Sequence, residues 1–157
     1  MQSKARFAAP ILFGLLAAAA IPCCASGIDD KIPPSQESID ALQVRVTAAQ
    51  PREQFFLYAQ LAHEMTEFSL RQYAAGDAEK ATTLLHNIQQ VAAKIHGSVA
   101  EDNKRLKDAE ILLRHTAFRL NEMLQSSSFE DRPLVQQTLT QVNQAQNDAM
   151  MQVFRNK

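Results

Sequence analysis

From residue 35 onward, apolar residues recur every three or four positions, which is the pattern of amphipathic helices. Ser35 can cap a short first helix that ends near Ala49, and Pro51 suits the first turn of a second helix that ends near Ala75. The second helix has an apolar face wide enough to contact two neighbouring helices. The first helix has one narrow stripe, which consists of Ile39, Leu42, Val46 and Ala49.

A tight turn is predicted after the second helix. Gly76 suits the left-handed residue that ends a helix, and Asp77 suits the cap of the next one. The segment from Tyr73 to Ala81 resembles the turn inside a tetratricopeptide repeat, where a small residue at Ala81 lets two antiparallel helices approach. The resemblance covers about 30 residues, and no second copy follows at the repeat spacing. It therefore implies a single helical hairpin and not a repeat array.

The segment from Asp77 to residue 125 keeps one seven-residue apolar phase, interrupted only by Asp102. We interpret it as one continuous helix of about 49 residues, about 73 Å long, because an inserted loop would shift the phase. The alternative is two helices that meet near Gly97, since Ser98 and Glu101 form a capping-box pattern. The phase comprises Leu85, Ile88, Ala92, Ile95, Val99, Leu106, Ala109, Leu113, Thr116, Leu120 and Met123.

A last helix is predicted from about Pro133 to Phe154, after a serine-rich stop. The helices together predict an all-α fold in which helical hairpins pack on a long central helix, or alternatively a compact four- to five-helix bundle with coiled-coil-like packing. One face of the last helix is rich in amides and suits either solvent or a polar contact surface. This face consists of Gln136, Gln137, Gln141, Asn143, Gln144 and Asn147.

Residues 1–25 have the features of a signal peptide. Lys4 and Arg6 precede an apolar run from Phe7 to Ile21, and small residues follow the run. The run has about 15 residues, fewer than the ~20 that cross a bilayer, so an N-terminal membrane anchor is the less favoured alternative. We therefore expect an exported protein, periplasmic or extracellular, with no stable membrane insertion after cleavage.

Cleavage is expected after Ala25, with Ala20 and Gly27 as alternative sites. Cleavage after Ala25 would remove both cysteines of the chain, Cys23 and Cys24. Lipid attachment to either cysteine is disfavoured, because Pro22 stands before Cys23 where a lipoprotein signal needs a small residue. Residues 26–34 are then predicted to form a flexible arm before a helical domain at 35–157. Loss of the leader would lower the formal net charge from −1 to −3.

The distribution of charge gives no reason to expect nucleic-acid binding. The basic residues near 104–107 alternate with acids and lack interleaved aromatic residues, a pattern typical of an ion-paired, solvated helix. Glu101–Arg105 and Glu110–Arg114 are predicted i,i+4 ion pairs in the favourable orientation. Alternatively, Arg114 and Arg119 order the second hairpin through acids such as Asp131 or Asp148.

Only His63 and Glu67 form a candidate metal-ligating pair, because they lie four residues apart on one helical face. The pair is weak, since glutamate stands where the His-Glu-x-x-His motif has its second histidine. The remaining histidines lack such a neighbour and are expected at the surface; they are His86, His96 and His115.

No sequence pattern for covalent or cofactor chemistry was found: no Gly-x-Ser-x-Gly elbow, phosphate-binding glycine loop, Glu-x-x-His pair or haem attachment motif. We therefore expect no enzymatic activity and no cofactor.

A structural or interaction role outside the cytoplasm, based on contacts between helices, is the favoured function. If the long helix is continuous, apolar surface near Gly97 to Leu106 would be uncovered and would favour a dimer. The alternative is a chaperone-like, small-ligand or metal-binding module. The segment starting at Leu139-Thr140 is similar to the Leu-Thr-x-x-Gln motif of periplasmic helical stress chaperones, with Gln144 one residue later than in that motif.

Overall fold

The computed structural model describes residues 33–98 and 104–155. Within these residues the chain forms five α-helices and no strand, which confirms the all-α prediction. The leader and nearly all of the arm lie outside the described residues, so those predictions are not tested. The helices are α1 (Gln36–Ala48), α2 (Pro51–Ala74), α3 (Ala78–Gly97), α4 (Leu106–Ser126) and α5 (Arg132–Arg155).

The helices begin and end where local chemistry favours it. Ser35 caps α1 by accepting a hydrogen bond from the backbone N–H of Ser38 at 3.2 Å. Gly76 adopts a φ of +86°, the left-handed region predicted for it. The Asp77 carboxylate then accepts a hydrogen bond from the Lys80 N–H at 3.0 Å and caps α3. These three capping predictions are confirmed.

Helices α2 to α5 form a square bundle. α2 packs against α3 and α4, and α5 packs against the same two helices. Residues of α2 contact residues of α4 in the same chain order, His63 with Thr116 and then Glu67 with Arg119, so these two helices run parallel. The bundle therefore consists of two antiparallel hairpins, α2–α3 and α4–α5, that lie side by side in the same orientation.

The continuous helix predicted from Asp77 to residue 125 is wrong, and the compact bundle is the observed alternative. α3 ends at Gly97 with Ser98 as its C-cap, and α4 begins at Leu106. The physical reason is that the apolar side chains of this segment must be buried. The break lets both halves of the apolar stripe face one core, whereas a straight rod would spread that stripe over about 73 Å. Leu106, expected to be uncovered in the rod, is buried.

The start of α4 is fastened to the start of α2. The Lys104 N–H donates to the Arg52 carbonyl at 2.9 Å, and the Lys104 ammonium lies 3.1 Å from the Glu53 carboxylate. The Arg105 guanidinium carbon lies 3.6 Å from the centroid of the Phe56 ring. These contacts set α4 parallel to α2 and in register with it.

Helix α2 is the central element of the core. Its wide apolar face contacts three helices, α1, α3 and α4, one more than the two predicted from the sequence. Phe55 and Met65 are among its fully buried side chains. Fully buried alanines on the helices permit close packing of the backbones. They are Ala59, Ala62, Ala81, Ala109 and Ala149.

Candidate interaction surfaces

The candidate metal pair His63 and Glu67 lies between α2 and α4, and both side chains contact α4. Arg119 donates two hydrogen bonds to Glu67, from Nε to Oε1 at 2.7 Å and from Nη2 to Oε2 at 3.2 Å. Both carboxylate oxygens are thus held by a cation, which competes directly with a metal ion. Within residues 33–98 and 104–155, no three His, Cys, Asp or Glu side chains are grouped as a metal site requires.

His63 is oriented by a hydroxyl on α4. Its Nδ1 lies 3.2 Å from the Thr116 hydroxyl oxygen, and that hydroxyl donates its own proton to the Leu112 carbonyl at 2.7 Å. The Thr116 oxygen must therefore accept from the imidazole, which assigns a proton to Nδ1 of His63. His63 thus takes part in the contact between α2 and α4.

The predicted pair of Glu110 and Arg114 within α4 is confirmed, at 3.0 Å. The alternative partners Asp131 and Asp148 are wrong, because Arg119 contacts Glu67 and Glu122. The cause is the parallel packing of α2 and α4, which places Glu67 beside Arg119. The hydrogen bond to Glu67 raises the pKa of Arg119, against the lowering effect of partial burial.

The acids expected to bind those arginines contact other groups. Asp131 accepts a hydrogen bond from the Tyr73 hydroxyl at 3.0 Å, and Asp148 lies 2.6 Å from Nδ1 of His96. His96 is exposed, as are His86 and His115, which confirms the surface position predicted for these three histidines.

A polar groove of about 630 Å³ lies between α3 and α5. The His96–Asp148 pair belongs to its wall, and the amides Gln141 and Gln144 line it. Oε1 of Gln141 is buried and has no hydrogen-bond partner among the described residues. Part of the amide-rich face of α5 therefore borders a concave surface, while Gln136, Gln137 and Asn143 of the same face are exposed and do not line this groove.

Exposed apolar side chains are concentrated on the second hairpin. Among the described residues, seven large apolar side chains are exposed, and only Val44 lies outside the segment from α4 to α5. Helix α1 packs on α2, but no described helix covers α4 in the same way. The other six are Ile111, Phe118, Phe129, Met150, Met151 and Phe154.

Four exposed residues form a single line along α4, which we call the α4 stripe: Lys107, Ile111, Arg114 and Phe118. Their spacing of four, three and four residues places them within about 60° of one another around the helix. The buried positions Ala109, Thr116 and Leu120 lie on the opposite side of α4. The α4 stripe therefore faces directly away from the core.

No protein-family model, no curated protein and no solved structure matches the chain. None of the helices in residues 33–98 and 104–155 is both long and apolar enough to cross a membrane. The chemistry of the exposed surfaces is therefore the basis for a functional proposal.

Proposed function

We propose that the protein is a non-enzymatic, exported helical protein that acts by binding a partner helix on the outer side of its second hairpin. The observation that carries this proposal is the concentration of exposed apolar side chains from α4 to α5, including Phe118 at 62% and Phe129 at 90% exposure. Exposed aromatic residues of this kind are typical of contact surfaces and cost solubility if nothing covers them.

The first hairpin shows what such a contact looks like. Helix α1 lies against α2 and buries Ile39, Leu42 and Val46, one side chain per turn. The α4 stripe offers an apolar residue on every second turn, Ile111 and Phe118, with the cationic Arg114 between them. A docked helix could cover this surface as α1 covers α2.

The titratable groups of the bundle interior support a non-enzymatic role. His63 contacts Thr116, Glu67 contacts Arg119, and each contact joins two helices. Groups used in this way hold the fold together and are not directed at a site where a substrate could react.

A photoreactive benzoylphenylalanine at position 118 of the full chain, expressed in its own host, tests the proposal. We expect an adduct of discrete mass at position 118 and none at position 86, which is exposed on α3. The adduct should disappear when Ile111→Lys is added, because a further cation would then replace an apolar contact residue of the stripe. Absence of an adduct with the photoreactive residue at 111, at 118 and at 129 would contradict the proposal.

The polar groove supports a second candidate function, the binding of a small polar molecule between α3 and α5. The observation in its favour is the buried, unpaired Oε1 of Gln141, an acceptor that a donor on a ligand could satisfy. Native mass spectrometry of the protein purified from its own host would show a retained molecule, and Gln141→Leu should release it. Repeated preparations without added mass would contradict this second function.

A further inference from the structure

We infer that the partner of the α4 stripe is a second copy of this chain, bound through two antiparallel α4 helices. This inference rests on the proposed function and specifies its partner. A symmetric dimer uses the same surface on both copies, so the surface must complement itself when rotated by 180°. The α4 stripe meets this requirement.

The order of residues along the stripe is cation, apolar, cation, apolar. A twofold axis level with the Leu112–Leu113 peptide reverses this order in the second copy. Lys107 then lies opposite Phe118 of the second copy, and Ile111 lies opposite Arg114 of the second copy. Each cation is therefore placed on an apolar side chain, and the Lys107–Phe118 pair has the composition of a cation–π contact. The rotation produces every one of these pairs twice.

A parallel arrangement would not be complementary. It would place Lys107 against Lys107 and Arg114 against Arg114 of the second copy, and like charges in direct opposition are destabilising. The stripe therefore selects the antiparallel orientation as well as the partner.

The contact between the two α4 helices buries a small area, and this limits its strength. One helical stripe buries less than the roughly 1,200–2,000 Å² of a stable complex, so we expect a dissociation constant on the order of 100 μM. Sedimentation equilibrium of the full chain from 10 μM to 1 mM should show a monomer–dimer equilibrium. Phe118→Lys should raise the dissociation constant about tenfold or more, because it places a cation opposite Lys107 of the second copy, whereas Phe129→Ser, outside the stripe, should leave it unchanged.

Disulfide trapping tests the orientation. The experiment uses the full chain with Cys23→Ser and Cys24→Ser as background, and carries either Lys107→Cys or Phe118→Cys. In the antiparallel register each single variant holds its two cysteines about 16 Å apart along the helices, beyond the reach of a disulfide. A mixture of the two variants brings unlike cysteines together and keeps one native Lys107–Phe118 contact.

We expect a disulfide dimer on mild oxidation of the mixture and only monomer from either variant alone. Dimers from each single variant would show a parallel contact and overturn the inference, as would an absence of dimer from the mixture at 1 mM. Circular dichroism of each variant verifies that the bundle is folded. The cellular adduct at position 118 separates the two proposals. Twice the chain mass supports self-association, whereas another discrete mass refutes it and leaves the proposed function standing. No adduct at 111, at 118 and at 129 contradicts both.

Discussion

Arg119 on α4 and Glu67 on α2 are joined by two hydrogen bonds, although 52 residues separate them in the chain. Their side chains are 37% and 24% exposed, so the pair lies at the edge of the core and not in open solvent. The bidentate geometry fixes the position of α4 along α2 as well as the distance between the two helices. It is one of the contacts that hold the two hairpins in register.

Arg119→Ala should lower the free energy of unfolding by about 1 kcal/mol, because a partly exposed, two-pronged pair is stronger than an ordinary surface pair but is still screened by solvent. Arg119→Lys should lose about half of that amount, since it keeps the charge and loses the second hydrogen bond. Urea titration followed by circular dichroism measures both. Arg114→Ala removes the Arg114–Glu110 pair, which joins neighbouring turns of one helix and not two helices, and is the matched control, with an expected loss of about 0.3–0.5 kcal/mol.

The contribution of Arg119 should not change with pH in the physiological range. Its pKa is raised in the folded protein, so the stabilisation is complete below the pKa of arginine in the unfolded chain and is lost only as the pH rises through the higher folded pKa. The difference in unfolding free energy between the wild type and Arg119→Ala should therefore be equal at pH 7 and pH 10. The Arg119→Lys variant should lose its remaining stability advantage over Arg119→Ala near pH 11, because the pKa of a lysine side chain is about 10.4. A wild-type contribution that also declines by pH 10 would contradict this.

Tyr73→Phe should lower the free energy of unfolding by about 1 kcal/mol. The Tyr73 hydroxyl donates to Asp131 at 3.0 Å and accepts from the Ser128 N–H at 2.8 Å, so it joins α2 to the connection before α5. Thermal unfolding measures the effect. Tyr58→Phe is the control, since no hydrogen bond to the Tyr58 hydroxyl is found among the described residues, and it should be neutral within ±0.5 kcal/mol.

The elements of the fold could be predicted from the sequence because their signals are local. Ser35, Gly76 and Asp77 end or cap helices through contacts within four or five residues. The break after Gly97 could not be predicted in the same way, since the apolar phase continues across it. The break between α3 and α4 depends on whether the two hairpins can share one core. This depends on the whole chain and not on local residues.

Sequence reasoning about the surfaces failed where partners are far apart in the chain. Arg119 was assigned to acids later in the chain, and the His96–Asp148 pair was missed because only neighbours four residues away were considered. A signal for the α4 stripe was present, however. Ile111 and Phe118 lie seven residues apart and outside the buried phase, which marks a second apolar line on the same helix.

Alanine should have opposite effects at the two glycines of the helical region. Gly76 has a φ of +86°, and although no described residue lies within 4 Å of an added Cβ, the left-handed backbone itself should cost Gly76→Ala about 1 kcal/mol. Gly97 is the last residue of α3 and does not have a positive φ, and an added Cβ would meet none of the described residues within 4 Å. Gly97→Ala should therefore stabilise the protein by about 0.5 kcal/mol. Denaturant midpoints that move in the same direction for both variants would contradict this assignment.

The α2–α3 hairpin requires a small residue at position 81. Ala81 is fully buried, and its carbonyl accepts a hydrogen bond of 3.0 Å from the Ser69 hydroxyl on α2. Ala81→Leu adds three carbon atoms at this approach and should cost about 1–3 kcal/mol by separating the helices. Ala78→Leu, at an exposed position in the first turn of the same helix, should change stability by less than about 0.5 kcal/mol. If thermal unfolding gave equal losses for the two leucine variants, the close approach of α2 and α3 at Ala81 would be refuted.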